Sequence, residues 1–107
     1  MTPEGQLKKE LKLYLVSKEP DCFWFMPMLF GYGKKGIPDF VLCFRGVFCT
    51  IETKVHGRKE KPWQEQRGEE IQKAKGVRIQ LHARELKDIP AEVEKVRRIF
   101  DAIQQAT

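Results

Sequence analysis

Residues 36–54 read GIPDFVLCFRGVFCTIETK. Two apolar runs are separated by Arg45-Gly46, with Asp39 at the mouth of the first and Glu52 and Lys54 closing the second. Runs of this kind joined by a Gly-containing dipeptide predict paired strands over 39–44 and 47–54 around a tight turn. Residues i and i+2 of a strand share a face. Glu52 and Lys54 therefore project side by side, and Thr53 points the other way. Charges at the ends of apolar strands are costly in a plain core element, because buried charge must be paired or coordinated. The open end of the hairpin brings Asp39 close to Glu52. Two carboxylates within a few Å repel, and one pKa rises unless a cation lies between them.

Hard oxygen ligands of this kind suit Mg2+, which keeps several waters and binds through one or two carboxylates plus a substrate phosphate. The backbone carbonyl of Thr53 offers a third ligand. Lys54 beside such an ion can orient or help deprotonate a water, or stabilise charge growing on phosphorus. The plainer alternative is that Glu52 and Lys54 pair with each other and with surface charges at a strand end. The bare pattern D…ExK is short and common, so on its own it leaves both open.

Outward from this stretch, the chain begins as a helix. Thr2 caps it and Pro3 suits its first position. Leu7, Leu11, Tyr14 and Leu15 make an apolar stripe at helical spacing. Glu4 lies over the N-terminal end of that stripe, and Glu10 points to one side. Either is a candidate for an acidic role, Glu4 by its face, although an acidic residue near a helix N-terminus is ordinarily a dipole partner. Glu19-Pro20-Asp21 breaks the helix. Residues 22–30 are dense in aromatics and Met and predict a buried strand. The loop 31–36, GYGKKG, is Gly-rich and basic. It can approach a phosphate backbone closely, or it is an ordinary connection.

Beyond the hairpin, the polar segment 56–61 predicts a loop. Pro62 opens a second helix over 62–75, closed by Gly76. Gln64, Arg67, Ile71 and Ala74 fall on its inward face. The Gln64 amide needs a partner there, with local backbone as one choice. Residues 77–81, VRIQL, alternate as a fourth strand. A last helix after Pro90 carries Val93, Val96, Ile99, Phe100 and Ile103. The order helix, three strands, helix, strand, helix predicts an α/β fold: a small mixed sheet flanked by helices.

The 107 residues are expected to form one domain spanning 1–107, and the 41% hydrophobic content, with seven Phe and two Trp, excludes a disordered chain. Twenty Lys and Arg against 15 Asp and Glu leave a net charge of +5, which favours an anionic partner such as nucleic acid. Cys22, Cys43 and Cys49 lack metal-ligand spacing and are odd in number, which argues against a zinc site or a disulfide scaffold. Cys43 and Cys49 lie in apolar runs and read as core. No signal segment or membrane-length apolar run is read, so a cytoplasmic protein without membrane association is expected.

Gly36-Ile37-Pro38-Asp39, then Glu52-Thr53-Lys54, then Pro62-Trp63-Gln64, with Glu4 on a preceding helix, resembles the VRR-NUC (virus-type replication-repair nuclease) family of the PD-(D/E)xK nuclease superfamily. The resemblance runs from about residue 4 to about residue 90. Its specificity lies in the ordered set, since each motif alone is weak. It implies a restriction-endonuclease-like core and a Mg2+- or Mn2+-dependent DNA endonuclease. Asp39 and Glu52 would ligate metal, Lys54 would act on the nucleophilic water, and Glu4 and Gln64 would support the site. It further implies a small stand-alone protein of the bacteriophage type, working as a homodimer on branched DNA such as four-way (Holliday) junctions. The aromatic segment 23–30 and the last helix are the candidate dimer surfaces, although both also read as core.

Lys34, Lys35, Arg58, Lys59, Lys61 and Arg67 flank the site in sequence and are the candidate DNA contacts. Such contacts give affinity and salt dependence rather than base specificity. His56 reads as a solvated loop residue. A non-catalytic DNA-binding module, or a subunit of a larger replication or repair complex, is the competing reading.

Overall fold

The computed structural model describes residues 2–28, 36–54 and 60–107. Helix α1 spans Pro3–Ser17, and the hydroxyl of Thr2 accepts a hydrogen bond from the Gly5 amide at 3.0 Å. Leu7, Leu11 and Leu15 recur every fourth residue, which puts them on one side of the helix; all three are fully buried. Lys18 caps the C-terminus, immediately before Glu19-Pro20.

Strands β1 (Cys22–Phe25), β2 (Phe40–Phe44) and β3 (Val47–Lys54) follow, then α2 (Pro62–Lys73), β4 (Val77–His82) and α3 (Ile89–Ala106). The sheet order is β1-β2-β3-β4. The first three strands are antiparallel neighbours, whereas β4 runs parallel to β3 and is reached through α2. This is the mixed sheet with flanking helices that the element pattern predicts. Arg45 and Gly46 both have positive φ, 49° and 86°. That is the geometry of a two-residue hairpin turn, whose twist matches the flanking strands. The β2–β3 register pairs Phe40 with Ile51 and Phe44 with Val47. One step further along it, Asp39 stands opposite Glu52.

One sheet face carries the core. Phe40, Leu42, Phe44, Cys49, Ile51, Ile79 and Leu81 pack with the α1 leucines and with Val96 and Phe100 of α3. Phe44 and Phe100 stack at 4.2 Å between ring centroids. The opposite face is covered only in part. Ile71 of α2 approaches it beside Val41, Phe48 and Thr50, whereas Phe23, Phe25 and Cys43 are exposed.

Several expectations are corrected by this arrangement. Residues 22–30 do not form one buried strand: β1 ends at Phe25, and Phe23 and Phe25 are 62% and 52% exposed. Cys43 is exposed rather than core. The common reason is that β1 is an edge strand and α2 does not reach its side of the sheet, so alternate residues stay in solvent. Helix α2 ends at Lys73, not at residue 75. Lys75, not Gly76, takes the left-handed conformation, with φ of 70°. The predicted inward line of α2 holds at Gln64, Arg67 and Ile71, which are half-buried, and runs beside the fully buried Gly68; only Ala74 departs from it and is exposed. Strand β4 runs one residue past the predicted 77–81, to His82.

Candidate active site

The charged side chains meet where β2 begins and β3 ends. Alternation along β3 divides them between two sides. On the side of α1, Thr53 donates its backbone amide and its hydroxyl to Asp39 Oδ2, at 2.8 and 2.9 Å. That hydroxyl is 3.3 Å from Glu4 Oε1; it has one hydrogen to give, and the shorter contact is to Asp39. Lys8, one turn after Glu4, sets its ammonium 3.3 Å from Glu4 Oε1 and 3.6 Å from Asp39 Oδ1. Glu10 instead accepts from Gln6 at 3.0 Å and lines a groove between α1 and α3. Geometry thus places Glu4, and not Glu10, beside Asp39.

On the side of α2, Glu52 is 7% exposed. Its Oε2 lies 3.6 Å from the Arg78 guanidinium. Burial raises the Glu52 pKa above its ordinary value, and the nearby charges of Glu60 and Asp39 push the same way; Arg78 and Lys54 oppose them. Lys54 Nζ is 3.8 Å from Glu60 Oε2. Glu60 also pairs with Arg78 and accepts from Gln80 at 3.1 Å.

Gln64 is not joined to this cluster through its amide. Its Oε1 accepts from the Lys61 backbone amide at 3.0 Å, which closes the first turn of α2; this is the local-backbone choice. Gly36 has φ of +78°, and a Cβ there would stand 2.4 Å from the Trp63 carbonyl oxygen. The glycine of G-x-P-D is thus seated against the start of α2, where only a residue without a side chain fits. Two motifs distant in sequence touch at that point.

Of the candidate DNA contacts, Lys34, Lys35, Arg58 and Lys59 lie outside the described residues, as does His56. Lys61 lies over the Trp63 ring at 5.3 Å. Arg67 pairs with Glu70 on its own helix.

Lys8, Glu60, Arg78 and Gln80 join the cluster although no motif in the sequence marks them. Lys8 was signalled by its i+4 spacing from Glu4. Arg78 and Gln80 were signalled by the alternation of VRIQL, which turns them away from the core. Glu60, in a polar connection, had no signal.

The donor set fits a hard divalent cation. Glu4, Asp39, Glu52 and Glu60 face Lys8, Lys54 and Arg78, which leaves one negative charge in excess. Burial is the main cause of the raised Glu52 pKa, and the charges of Glu60 and Asp39 add to it. Among the described residues no three His, Cys, Asp or Glu side chains are arranged to hold a metal ion. Two carboxylates would leave the remaining positions around such an ion to water and phosphate, as Mg2+ favours.

A solved structure described as a VRR_NUC domain matches this chain with a TM-score of 0.65 and 22% sequence identity, covering 88% of this chain and 97% of that one. The likeness shows the fold: this chain has the mixed α/β architecture of a VRR_NUC domain, as the ordered motifs imply. No family model matches the sequence, and no curated protein matches it.

Proposed function

We propose that this chain is a metal-dependent endodeoxyribonuclease that hydrolyses phosphodiester bonds in branched DNA, four-way junctions included. The observation that carries the reading is the juxtaposition of Asp39, Glu52 and Lys54 at the open end of the β2–β3 hairpin, within a VRR_NUC fold. Asp39 and Glu52, with the Thr53 carbonyl, would hold Mg2+ or Mn2+. The ion, when bound, supplies Lewis acidity toward the phosphoryl oxygens and lowers the pKa of a water. Lys54 orients the attacking water and offsets charge developing on the phosphoryl oxygens. The water oxygen bonds to phosphorus, the bond to the leaving oxygen breaks, and a proton ends on that oxygen. Thr53 keeps Asp39 aimed, Glu4 holds the Lys8 ammonium beside it, and Gln64 shapes the start of α2 beside the site.

Lys34, Lys35, Arg58, Lys59 and Lys61 are the proposed phosphate contacts; Arg67 is less available because Glu70 holds it. The absence of a base-reading motif favours recognition by shape. Symmetric junctions need paired cuts, and a two-fold homodimer supplies two sites. The exposed side chains of Phe23, Phe25 and Cys43, with Phe48 half-exposed at the margin of α2, support such pairing. No helix among the described residues is long and apolar enough to cross a membrane.

A DNA-binding module without catalysis is the second reading. It has no use for a buried carboxylate with a raised pKa, since such a group costs stability and contacts no phosphate. The test is incubation of the purified protein with four-way, flap and linear DNA, with Mg2+, with Mn2+ and with chelator. Cleavage of branched DNA that needs metal and is lost in Lys54→Ala is the expected result. Metal-independent cleavage, or full activity in Lys54→Ala, would overturn the reading.

A further inference from the structure

Helix α2 holds a glycine in its interior, where glycine is among the poorest helix formers. Gly68 is buried, and a Cβ at this position would stand 2.1 Å from Cζ and 2.2 Å from Nε of Arg78. The missing side chain is the notch in which the guanidinium lies. Arg78 enters that notch from β4, where it sits in register with Thr50, on the side of the sheet turned toward α2. Its side chain is only 14% exposed. From the notch it pairs with Glu60, lies 3.6 Å from Glu52 Oε2 and 3.5 Å from the Gln64 carbonyl oxygen. Glu60 in turn faces the Lys54 ammonium at 3.8 Å.

The geometry points to Arg78, seated in the notch of Gly68, as the positioning residue for both Glu52 and Lys54. One guanidinium orients the Glu52 carboxylate directly and the Lys54 ammonium through Glu60. The inference rests on the nuclease reading above. Its physical basis is that the arrangement lowers stability in two places without an evident return. The helix gives up a better residue at 68. A buried ion-pair cluster is weak support for a fold, and well-packed apolar residues often replace such a cluster at no loss. What the cluster does supply is direction. A guanidinium presents a rigid planar fork of donors, unlike the point charge of a lysine. Buried as it is, Arg78 acts on the reacting groups through its partners and not by gripping DNA.

Gly68→Ala tests this without altering any acidic residue or Lys54. The atoms it would displace are the far end of a flexible side chain, so the fold can accommodate it while the guanidinium leaves its seat. In single-turnover cleavage of a four-way junction with Mn2+, Gly68→Ala is expected to lower the rate constant about 10- to 100-fold, with half-saturating DNA within about twofold of wild type. Arg78→Ala should match it, and the double variant should be no slower than Arg78→Ala. A second readout needs no metal. In thermal melts of the metal-free protein, Gly68→Ala should raise the melting temperature more on the Arg78→Ala background than on the wild-type background, because only the latter still has a guanidinium to displace. Equal shifts on the two backgrounds, or an unchanged rate in Gly68→Ala, would overturn the inference while wild-type cleavage left the nuclease reading standing. Failure of the wild-type protein to cleave any branched DNA with either metal would instead overturn the nuclease reading, and this inference with it.

Discussion

Thr53 gives both its backbone amide and its hydroxyl to a single oxygen of Asp39, at 2.8 and 2.9 Å. The other oxygen, Oδ1, is left facing the Lys8 ammonium at 3.6 Å. The middle residue of the E-x-K motif is thus an aiming device for an aspartate 14 residues earlier. Thr53→Val keeps the shape and removes one donor. A hydrogen bond to a charged group contributes about 1.5–3 kcal/mol, and the surviving amide bond and partial exposure of Asp39 reduce the expected loss to about 1 kcal/mol. Urea melts should show that loss, cleavage should fall about tenfold, and Thr53→Ser should restore much of both. A Thr53→Val protein as active as wild type would contradict the aiming role.

The raised Glu52 pKa makes stability depend on pH in a definite direction. A carboxyl group whose folded pKa exceeds its unfolded one binds more protons when folded, so its contribution is fully present below the unfolded value of 4.5 and declines as pH rises through the folded value. As pH rises above 4.5, Glu52 therefore comes to weaken the metal-free fold. Glu52→Gln is expected to raise the melting temperature of the metal-free protein at pH near 7 and to remove that part of the decline, while abolishing cleavage. Mn2+ should stabilise wild type and have little effect on the variant. Thermal melts across pH, with and without Mn2+, check both statements; a lower melting temperature for metal-free Glu52→Gln would contradict the sign.

The Lys8 ammonium stands 3.6 Å from Asp39 Oδ1, where it would repel a divalent cation bound to that carboxylate. Its side chain is 30% exposed and that of Asp39 is 29% exposed, so solvent reduces the interaction. Lys8→Ala should tighten Mn2+ binding about two- to fivefold, corresponding to the ~0.5–1 kcal/mol of an exposed ion pair. Titration calorimetry on the protein without DNA measures this directly, and weaker Mn2+ binding would count against the placement of Lys8.

The open half of the sheet has its own chemical reporter. Cys22 and Cys49 are buried, and burial pushes their thiols up to about 11 and about 12. Cys43 lies exposed between its register partners Phe23 and Phe48. Iodoacetamide should therefore modify Cys43 alone in the folded protein. If this face joins two copies, alkylation should slow as protein concentration rises, and Phe23→Ser with Phe48→Ser should leave a monomer in sedimentation. A dimer that persists in the double variant would place the interface elsewhere.

The sequence by itself determined most of the local structure. Leucines at every fourth position made α1, and the alternation of 39–54 about Arg45-Gly46 made the hairpin. The strand period of two put Glu52 and Lys54 on one side and Thr53 on the other, because that separation depends on backbone geometry alone. The same local logic placed Asp39 opposite Glu52. Tertiary structure decided what no local period encodes. It set Glu4, already favoured by its helix face, beside Asp39 and brought Lys8, Glu60 and Arg78 to the carboxylates. It also left Phe23, Phe25 and Cys43 in solvent, since an apolar residue on a strand is buried only if some other element arrives to cover it, and α2 covers the far half of the sheet. Gly68 shows the difference most directly. In sequence it is a weak point in a helix, and only the packing of β4 against α2 reveals that its absent side chain is the space Arg78 occupies.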